Sequence, residues 1–244
     1  MANFTKFNSV HLNSIGKILG KSINSVADVK GIRGASAGPI ATSKGLFSWG
    51  RNNYGQLGQN DTTNRSSPVQ VGSDTDWEDV AGGNNYPLAT KSDGTLWTWG
   101  YNDYGQLGQG DITHRSSPVQ VGSDTDWENV YCGNRYTLAT KSDGTLWAWG
   151  NNDFGQLGQG DVTYRSSPVQ VGSDTDWEDV AGGGYFQTIA TKSNGTLWAW
   201  GSNHYGQLGQ SDMIHRSSPV QIGSDADWEN VADGSGSHTL AIKS

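Results

Sequence analysis

Twenty-four carboxylates, five histidines and one cysteine are the side chains with which this 244-residue chain could do acid–base, nucleophilic or metal chemistry. Their spacing argues against all three. His11, His114, His204, His215 and His238 stand beside neither Cys132 nor a serine placed as a nucleophile. Catalysis gathers a few unlike groups once, whereas this chain repeats nearly everything four times, so it reads as non-enzymatic, with no catalytic residue. The segment Ser73 to Asp79 spaces Asp74, Asp76 and Glu78 at alternate positions, as an oxygen-rich calcium loop begins. It lacks the Gly and the later Glu that such loops use, and reads as a solvated turn leading into a strand. One thiol offers neither an internal disulfide nor a pair for zinc. The GQLG stretches starting at Gly55, Gly105, Gly155 and Gly206 have no following Lys or helix to cradle a phosphate. No metal and no cofactor are expected.

What the residue types could do is recognise a surface. Between copies of the repeat, substitutions gather at Arg51, Tyr101, Asn151 and Ser202, and at Asn64, His114, Tyr164 and His215. A third cluster, Asn84 to Pro87 with its counterparts, contributes Tyr86, Arg135, Tyr136 and Phe186. These twelve are the binding candidates, because Tyr, His, Asn and Arg combine flat apolar bodies with polar edges and sit in loops. The Asp/Arg pairs Asp61–Arg65, Asp111–Arg115, Asp161–Arg165 and Asp212–Arg216 read as braces of the long loop.

The elements that must position these residues follow from the repeat. Trp49-Gly50, Trp99-Gly100, Trp149-Gly150 and Trp200-Gly201 recur about every 50 residues, each followed by GQLGQ and then RSSPVQ. Residues 77–126 and 127–176 agree at 40 of 50 positions, so the units are copies. One unit predicts four short strands. They are Trp77 to Val80, Tyr86 to Thr90, Thr95 to Trp99 after an Asp-Gly hairpin turn, and Pro118 to Val121, where a Pro at the strand start suits an edge. Four antiparallel strands per 50 residues make a propeller blade. In LWTW, Trp97 and Trp99 point to one face, and the indoles read as packing between neighbouring blades.

The strings LWTWGYNDYGQLGQGD and SSPVQV, preceded by VAGGNNYPLATKSDG, resemble the regulator of chromosome condensation repeat. The resemblance implies an all-β propeller, with four repeats over residues 27 to 228 and a half unit in VADGSGSHTLAIKS. Rings of that family typically have seven blades. Here residues 29–244 form the propeller and residues 1–28 an attachment and closure segment. FTKFNSV and SIGKIL are expected to pair with the half unit, giving a small, about five-bladed ring; completion by another chain, or a chain that is itself a fragment, are the alternatives. The echo FNSV (Phe7 to Val10) and INSV (Ile23 to Val26) resembles N-terminal parts of virion and tail proteins of tailed marine phages, implying a structural role in a virion.

Charge and composition set the partner classes. Lys6, Lys17, Lys21, Lys30 and Arg33 against Asp28 leave residues 1–33 at +4, so the rest of the chain, whose total is −8, carries −12. An acidic body repels phosphate backbones, and nucleic acid is excluded as the main partner. Nothing apolar runs for ~18 residues, so no membrane span is expected. MANFTKFNSVHLNSIGKILG has polar residues where a signal peptide needs an apolar stretch, leaving a virion, if phage-derived, or the cytoplasm as the location. The expected function is a binding propeller whose blade-end loops recognise a protein or host surface. A lectin-like propeller for cell-surface glycans is the alternative, and a guanine-nucleotide exchange factor is disfavoured because no distinctive loop insertion interrupts the repeats.

Overall fold

The structure, a computed structural model, describes residues 44–182, 186–234 and 236–244. They belong to one unit, Ser43–Ser244. Residues 1–28, and with them the expected pairing of FTKFNSV and SIGKIL, lie outside the described residues.

Strands β1 (Phe47–Gly50) and β2 (Arg65–Gln70) pair as a two-stranded sheet. Three complete antiparallel sheets follow: β3 (Trp77–Gly82), β4 (Pro87–Lys91), β5 (Leu96–Gly100) and β6 (Arg115–Gln120); then β7 (Trp127–Cys132), β8 (Tyr136–Lys141), β9 (Leu146–Gly150) and β10 (Arg165–Gln170); then β11 (Trp177–Gly182), β12 (Gln187–Lys192), β13 (Leu197–Gly201) and β14 (Arg216–Gln221). A last two-stranded sheet joins β15 (Trp228–Gly234) and β16 (His238–Lys243). Among the described residues, three four-stranded blades of the expected propeller therefore stand between two two-stranded sheets, and the part of the first repeat that precedes residue 44 lies outside the described residues.

Local chemistry explains the strands. In the turn between β4 and β5, Lys91 N–H bonds Thr95 O, and Gly94 takes φ +79°, which a side chain would resist. The Asp93 carboxylate holds the turn by accepting from both Thr95 N–H and its hydroxyl. The fourth strand starts earlier than expected, at Arg115, and Pro118 lies inside it. Register breaks between Thr98 and Gly100, leaving a bulge where a missing N–H costs nothing, and β6 is an edge as expected.

The core lies between blades. Leu88, Leu96, Leu107 and Val121 of one blade pack with Trp127, Ala139 and Trp149 of the next, and the same cluster recurs one blade on, around Leu138, Leu146, Leu157, Val171, Trp177 and Trp200. Trp149 and Trp200 are wholly buried. At ~25 cal/mol per Å² and ~150–250 Å² each, one such indole contributes about 4–6 kcal/mol of burial. Each also donates to the previous blade, Trp99 Nε1 to Gln56 O, Trp149 Nε1 to Gln106 O and Trp200 Nε1 to Gln156 O, all at 2.9 Å.

A repeated lysine cage closes the opposite end of each sheet. Lys141 Nζ lies 4.7 Å from the ring centre of Trp127 and 4.8 Å from that of Trp147, and is 2.6 Å from Asp124 and 3.1 Å from Asp126. Lys91 and Lys192 are held in the same way. The alternating acids that resemble the start of a calcium loop are thus lysine ligands of their own blade, reached across a hairpin.

Candidate functional site

The third strand of each blade ends, and the second begins, at the end of the sheet away from the lysine cages. The long loop between third and fourth strands covers that end. Its shape is set locally: Asn102 Oδ1 accepts Leu107 N–H while Asn102 Nδ2 donates to Asp111 O and Thr113 O. Arg115 Nη2 meets Asp111 at 2.6 Å, and Arg65, Arg165 and Arg216 make the same brace to Asp61, Asp161 and Asp212. Turn N–H groups and the arginine together hold the Asp111 carboxyl below its usual range.

On this frame stand aromatic rings in inter-blade contact. Tyr54 packs edge-on against Tyr101 at 4.8 Å and His114 at 5.2 Å; Tyr104 meets Tyr164 at 5.5 Å, and Arg135 lies 4.9 Å over the Tyr104 ring. Further along, Phe154 contacts Phe186 at 5.4 Å and His215 at 5.2 Å. Tyr101, His114, Tyr164, Arg135, Phe186 and His215 are thus brought into this rim. Arg51 and Asn64, both exposed, belong to the first half blade, where Arg51 faces the Tyr54 ring at 5.9 Å. Tyr54, Tyr104 and Phe154, which organise the rim, escape the comparison between copies because they hardly vary; the signal for them was an aromatic residue before GQLG in every unit.

Four candidates prove to be interior. Tyr86 and Tyr136 are buried, and their hydroxyls donate to the next blade, Tyr86 to Tyr136 O and Tyr136 to Gln187 O, each at 2.5 Å. Burial pushes the Tyr86 phenol well above its ordinary pKa. Asn151 and Ser202 are also buried and accept from the amides of Gln156 (2.5 Å) and Gln207 (3.4 Å). Variation marks these four positions because blade contacts differ from copy to copy, not because a loop is exposed there.

That last pair identifies a cleft. In the unit beginning at Trp77, Tyr101 replaces the acceptor that Asn151 and Ser202 supply, and Gln106 Nε2 is buried without a hydrogen-bond partner. The Gln106 carbonyl Oε1 accepts Tyr104 N–H at 3.1 Å, which fixes the amide's orientation. Gln106 lines a small cleft of about 100 Å³ together with Tyr54, Tyr101, Asn84, Asn85 and Arg135. An amide donor and a guanidinium among aromatic rings suit an incoming carbonyl or carboxylate oxygen.

The varying loop position beyond the braces has a structural duty too. His114 Nδ1 accepts Asn102 N–H at 3.1 Å and His215 Nδ1 accepts Asn203 N–H at 2.9 Å; Asn64 Oδ1 accepts the equivalent Asn52 N–H at 2.8 Å. Burial first, and then His204 beside it, lower the His215 pKa. Its folded value thus lies below the unfolded one, so its contribution is present above about pH 6.5 and is lost as acid takes the pH down through the folded value. His215→Asn, which keeps an acceptor, is expected to leave the melting temperature at pH 7 nearly unchanged and to shrink the loss on going to pH 5. Equal losses in both proteins would refute this.

The "Regulator of chromosome condensation (RCC1) repeat" matches at residues 45–89, 93–140, 143–189 and 194–242. The chain belongs to this family. Each RCC1 match runs from the third strand of one blade to the second strand of the next. Among solved RCC1-like structures, Prp20p of Saccharomyces cerevisiae, described with its binding to Gsp1p and histones, is similar with a TM-score of 0.68 at 21% identity, covering 81% of this chain and 50% of that one. Human WBSCR16 is similar with a TM-score of 0.68 at 23% identity, covering 79% and 52%. The ultraviolet-B receptor UVR8 of Arabidopsis thaliana is 39% identical over 61 residues, 25% of this chain and 14% of the receptor. The chain thus spans about half the length of these solved structures and far less of the receptor. Among the described residues, no helix is long and apolar enough to cross a membrane.

Proposed function

We propose that this RCC1-repeat chain is a non-enzymatic binding propeller that takes a protein partner on the aromatic rim, with an Asp, Glu or main-chain carbonyl of the partner seated in the Gln106 cleft. The carrying observation is the buried Gln106 amide without an acceptor, beside Arg135 and three tyrosines. Tyr and Arg anchors around a desolvated polar group are the usual composition of a binding hot spot. Prp20p, with its binding to Gsp1p and histones, is a precedent of the same fold for protein partners. Residues 1–28 serve as the attachment segment in this reading, with the virion as its setting. A glycan would need open ring faces, whereas these rings pack edge to face or tilted against one another, which favours protein over sugar.

Tyr101→Asn supplies Gln106 with the acceptor that Asn151 already gives Gln156, so it closes the donor without a foreign residue. A partner captured by the full chain and identified by mass spectrometry is expected to bind at least ~10-fold more weakly to Tyr101→Asn and Gln106→Glu, at unchanged melting temperature. Glu178→Gln, at the opposite end of the sheets, should bind as before. Equal binding by all variants would sink the proposal. Binding to a glycan array that is lost in the same variants would establish the lectin reading instead, and faster nucleotide release from a small GTPase would establish exchange.

A further inference from the structure

Arg65, Arg115, Arg165 and Arg216 each face an aspartate, but Arg135 does not. Its guanidinium lies over the Tyr104 ring and donates from Nη1 to the Tyr104 hydroxyl at 2.8 Å, and among the described residues no carboxylate is within ion-pair distance of it. Its backbone is also strained. Arg135 takes φ +71°, in the left-handed region that a long side chain resists. Its surroundings enforce this. Arg135 O accepts Asn151 N–H at 2.8 Å, Gly133 N–H closes the turn on Tyr136 O at 2.8 Å, and a methyl carbon added to Gly150 would lie 2.6 Å from Arg135 O. Strain that is held in this way gathers at binding sites.

The other repeats show what the arginine displaces. Asn85 holds the equivalent place one blade earlier, and its Oδ1 accepts from Gln56 Nε2 at 3.4 Å. Gln156 and Gln207 find their acceptors in Asn151 and Ser202. Gln106 is denied both, because Tyr101 stands in the place of Asn151, and Arg135, which has donors only, stands in the place of Asn85. Its side chain is wholly buried and its Oε1 is committed to Tyr104 N–H, so Nε2 is the atom left over. The nearby acid, Asp103, is engaged by the Tyr101 hydroxyl at 2.8 Å and by His114 Nε2 at 3.6 Å.

The cleft of about 100 Å³ therefore gathers an amide donor and a guanidinium with an acid for neither. A neutral carbonyl would satisfy the amide and leave the guanidinium unpaired, whereas a carboxylate has an oxygen for each and makes charge-assisted bonds roughly twice as strong. We propose, resting on the binding reading above, that the group seated in this cleft is a carboxylate, one oxygen on Gln106 Nε2 and the other on Arg135. The strained backbone of Arg135 is the device that presents its guanidinium there.

Nuclear magnetic resonance of the full chain can follow the Gln106 side-chain amide directly. N-acetyl-aspartic acid amide and N-acetyl-alanine, which carry a side-chain and a chain-terminal carboxylate, are expected to shift that signal, and the tighter of the two tells which kind the partner offers. N-acetyl-asparagine amide should bind at least ~10-fold more weakly. Arg135→Asn relieves the backbone and returns the acceptor that Asn85 gives Gln56. It should weaken the acids at least ~10-fold at a melting temperature no lower than that of the unaltered chain, and Arg135→Lys, with the charge but no fork, should fall between. Equal binding of the asparagine amide would show that the cleft reads a carbonyl, overturning the carboxylate while leaving the binding propeller intact. A lowered melting temperature for Arg135→Asn with unchanged binding would make Arg135 a structural brace, and the inference fails. It fails too if neither acid moves the signal, or if Asp28→Asn moves it in the free chain, since the chain's own carboxylate then fills the cleft. Acids that bind a chain from which no partner can be captured would support the carboxylate and count against the proposed function alone.

Discussion

Trp149→Ala is expected to lower the stability by about 3–5 kcal/mol, the largest effect of any single substitution proposed for this chain. The indole is wholly buried among Leu88, Leu96, Leu107 and Val121 of the preceding blade, so its loss opens a cavity between two sheets and not within one. It also strips the Gln106 carbonyl of a 2.9 Å donor, leaving Thr137 as the other group that bonds it. The backbone cannot close in to fill the space cheaply, because the loop is held at its narrowest point. Gly108, at φ +69°, already sits so close that an added methyl carbon would lie 2.8 Å from the indole nitrogen. Circular dichroism in denaturant should show an earlier transition for Trp149→Ala. Trp49→Ala should change much less, since Trp49 is 60% exposed. Equal, small losses from both would show that the indoles do not hold the blades together.

Lys141→Met is expected to cost about 1–2 kcal/mol, although methionine keeps much of the aliphatic contact with Trp127 and Trp147. The lost charge faces two carboxylates, and removing one partner from a largely buried ion pair costs more than the pair itself is worth. The value is discounted because the side chains of Asp124 and Asp126 are about half exposed. Burial opposes the charge on Lys141, but the two carboxylates outweigh it and hold the pKa above the ordinary lysine value. A raised folded pKa gives a contribution that is complete below about pH 10.4 and is lost as the pH climbs through the folded value. The gap between the unaltered chain and Lys141→Met should therefore be wide at pH 8 and narrow in strong alkali. Lys243→Met, where Trp228 is the one wall and the side chain is 43% exposed, should cost much less. A larger loss from Lys243 than from Lys141 would contradict the cage.

Much of the fold was legible because it is written in short-range chemistry. The Asp-Gly turn, the alternation in LWTW and the Asp111–Arg115 spacing each act within a few residues, and all are found where the local pattern puts them. The site was legible only in part. Tyr101, His114 and Tyr164, singled out by their variation, stand on the aromatic rim. Tyr86 and Tyr136 belong to a cluster that varies between copies, yet they lie inside, because the carbonyls they reach belong to the next blade, about 50 residues away. Gln106 could not be singled out at all, since Gln occupies that place in every unit and is distinguished by the acceptor it lacks.

By itself, the sequence determined that this chain is a repeat of four short strands with tryptophan between neighbours. A period, however, has no phase. Where one blade stops and the next begins depends on which edges pair, and pairing is a matter of tertiary hydrogen bonds. Tertiary structure therefore decided that, among the described residues, the blades run Trp77–Gln120, Trp127–Gln170 and Trp177–Gln221, each repeat match straddling two of the sheets. It also decided that the alternating acids hold a lysine and not a cation from solution, because Lys141 arrives from across a hairpin already charged, with two indoles to screen it from water. The cleft at Gln106 arose in the same way, from a donor that one substitution, Tyr101 in the loop after β5, left without its acceptor.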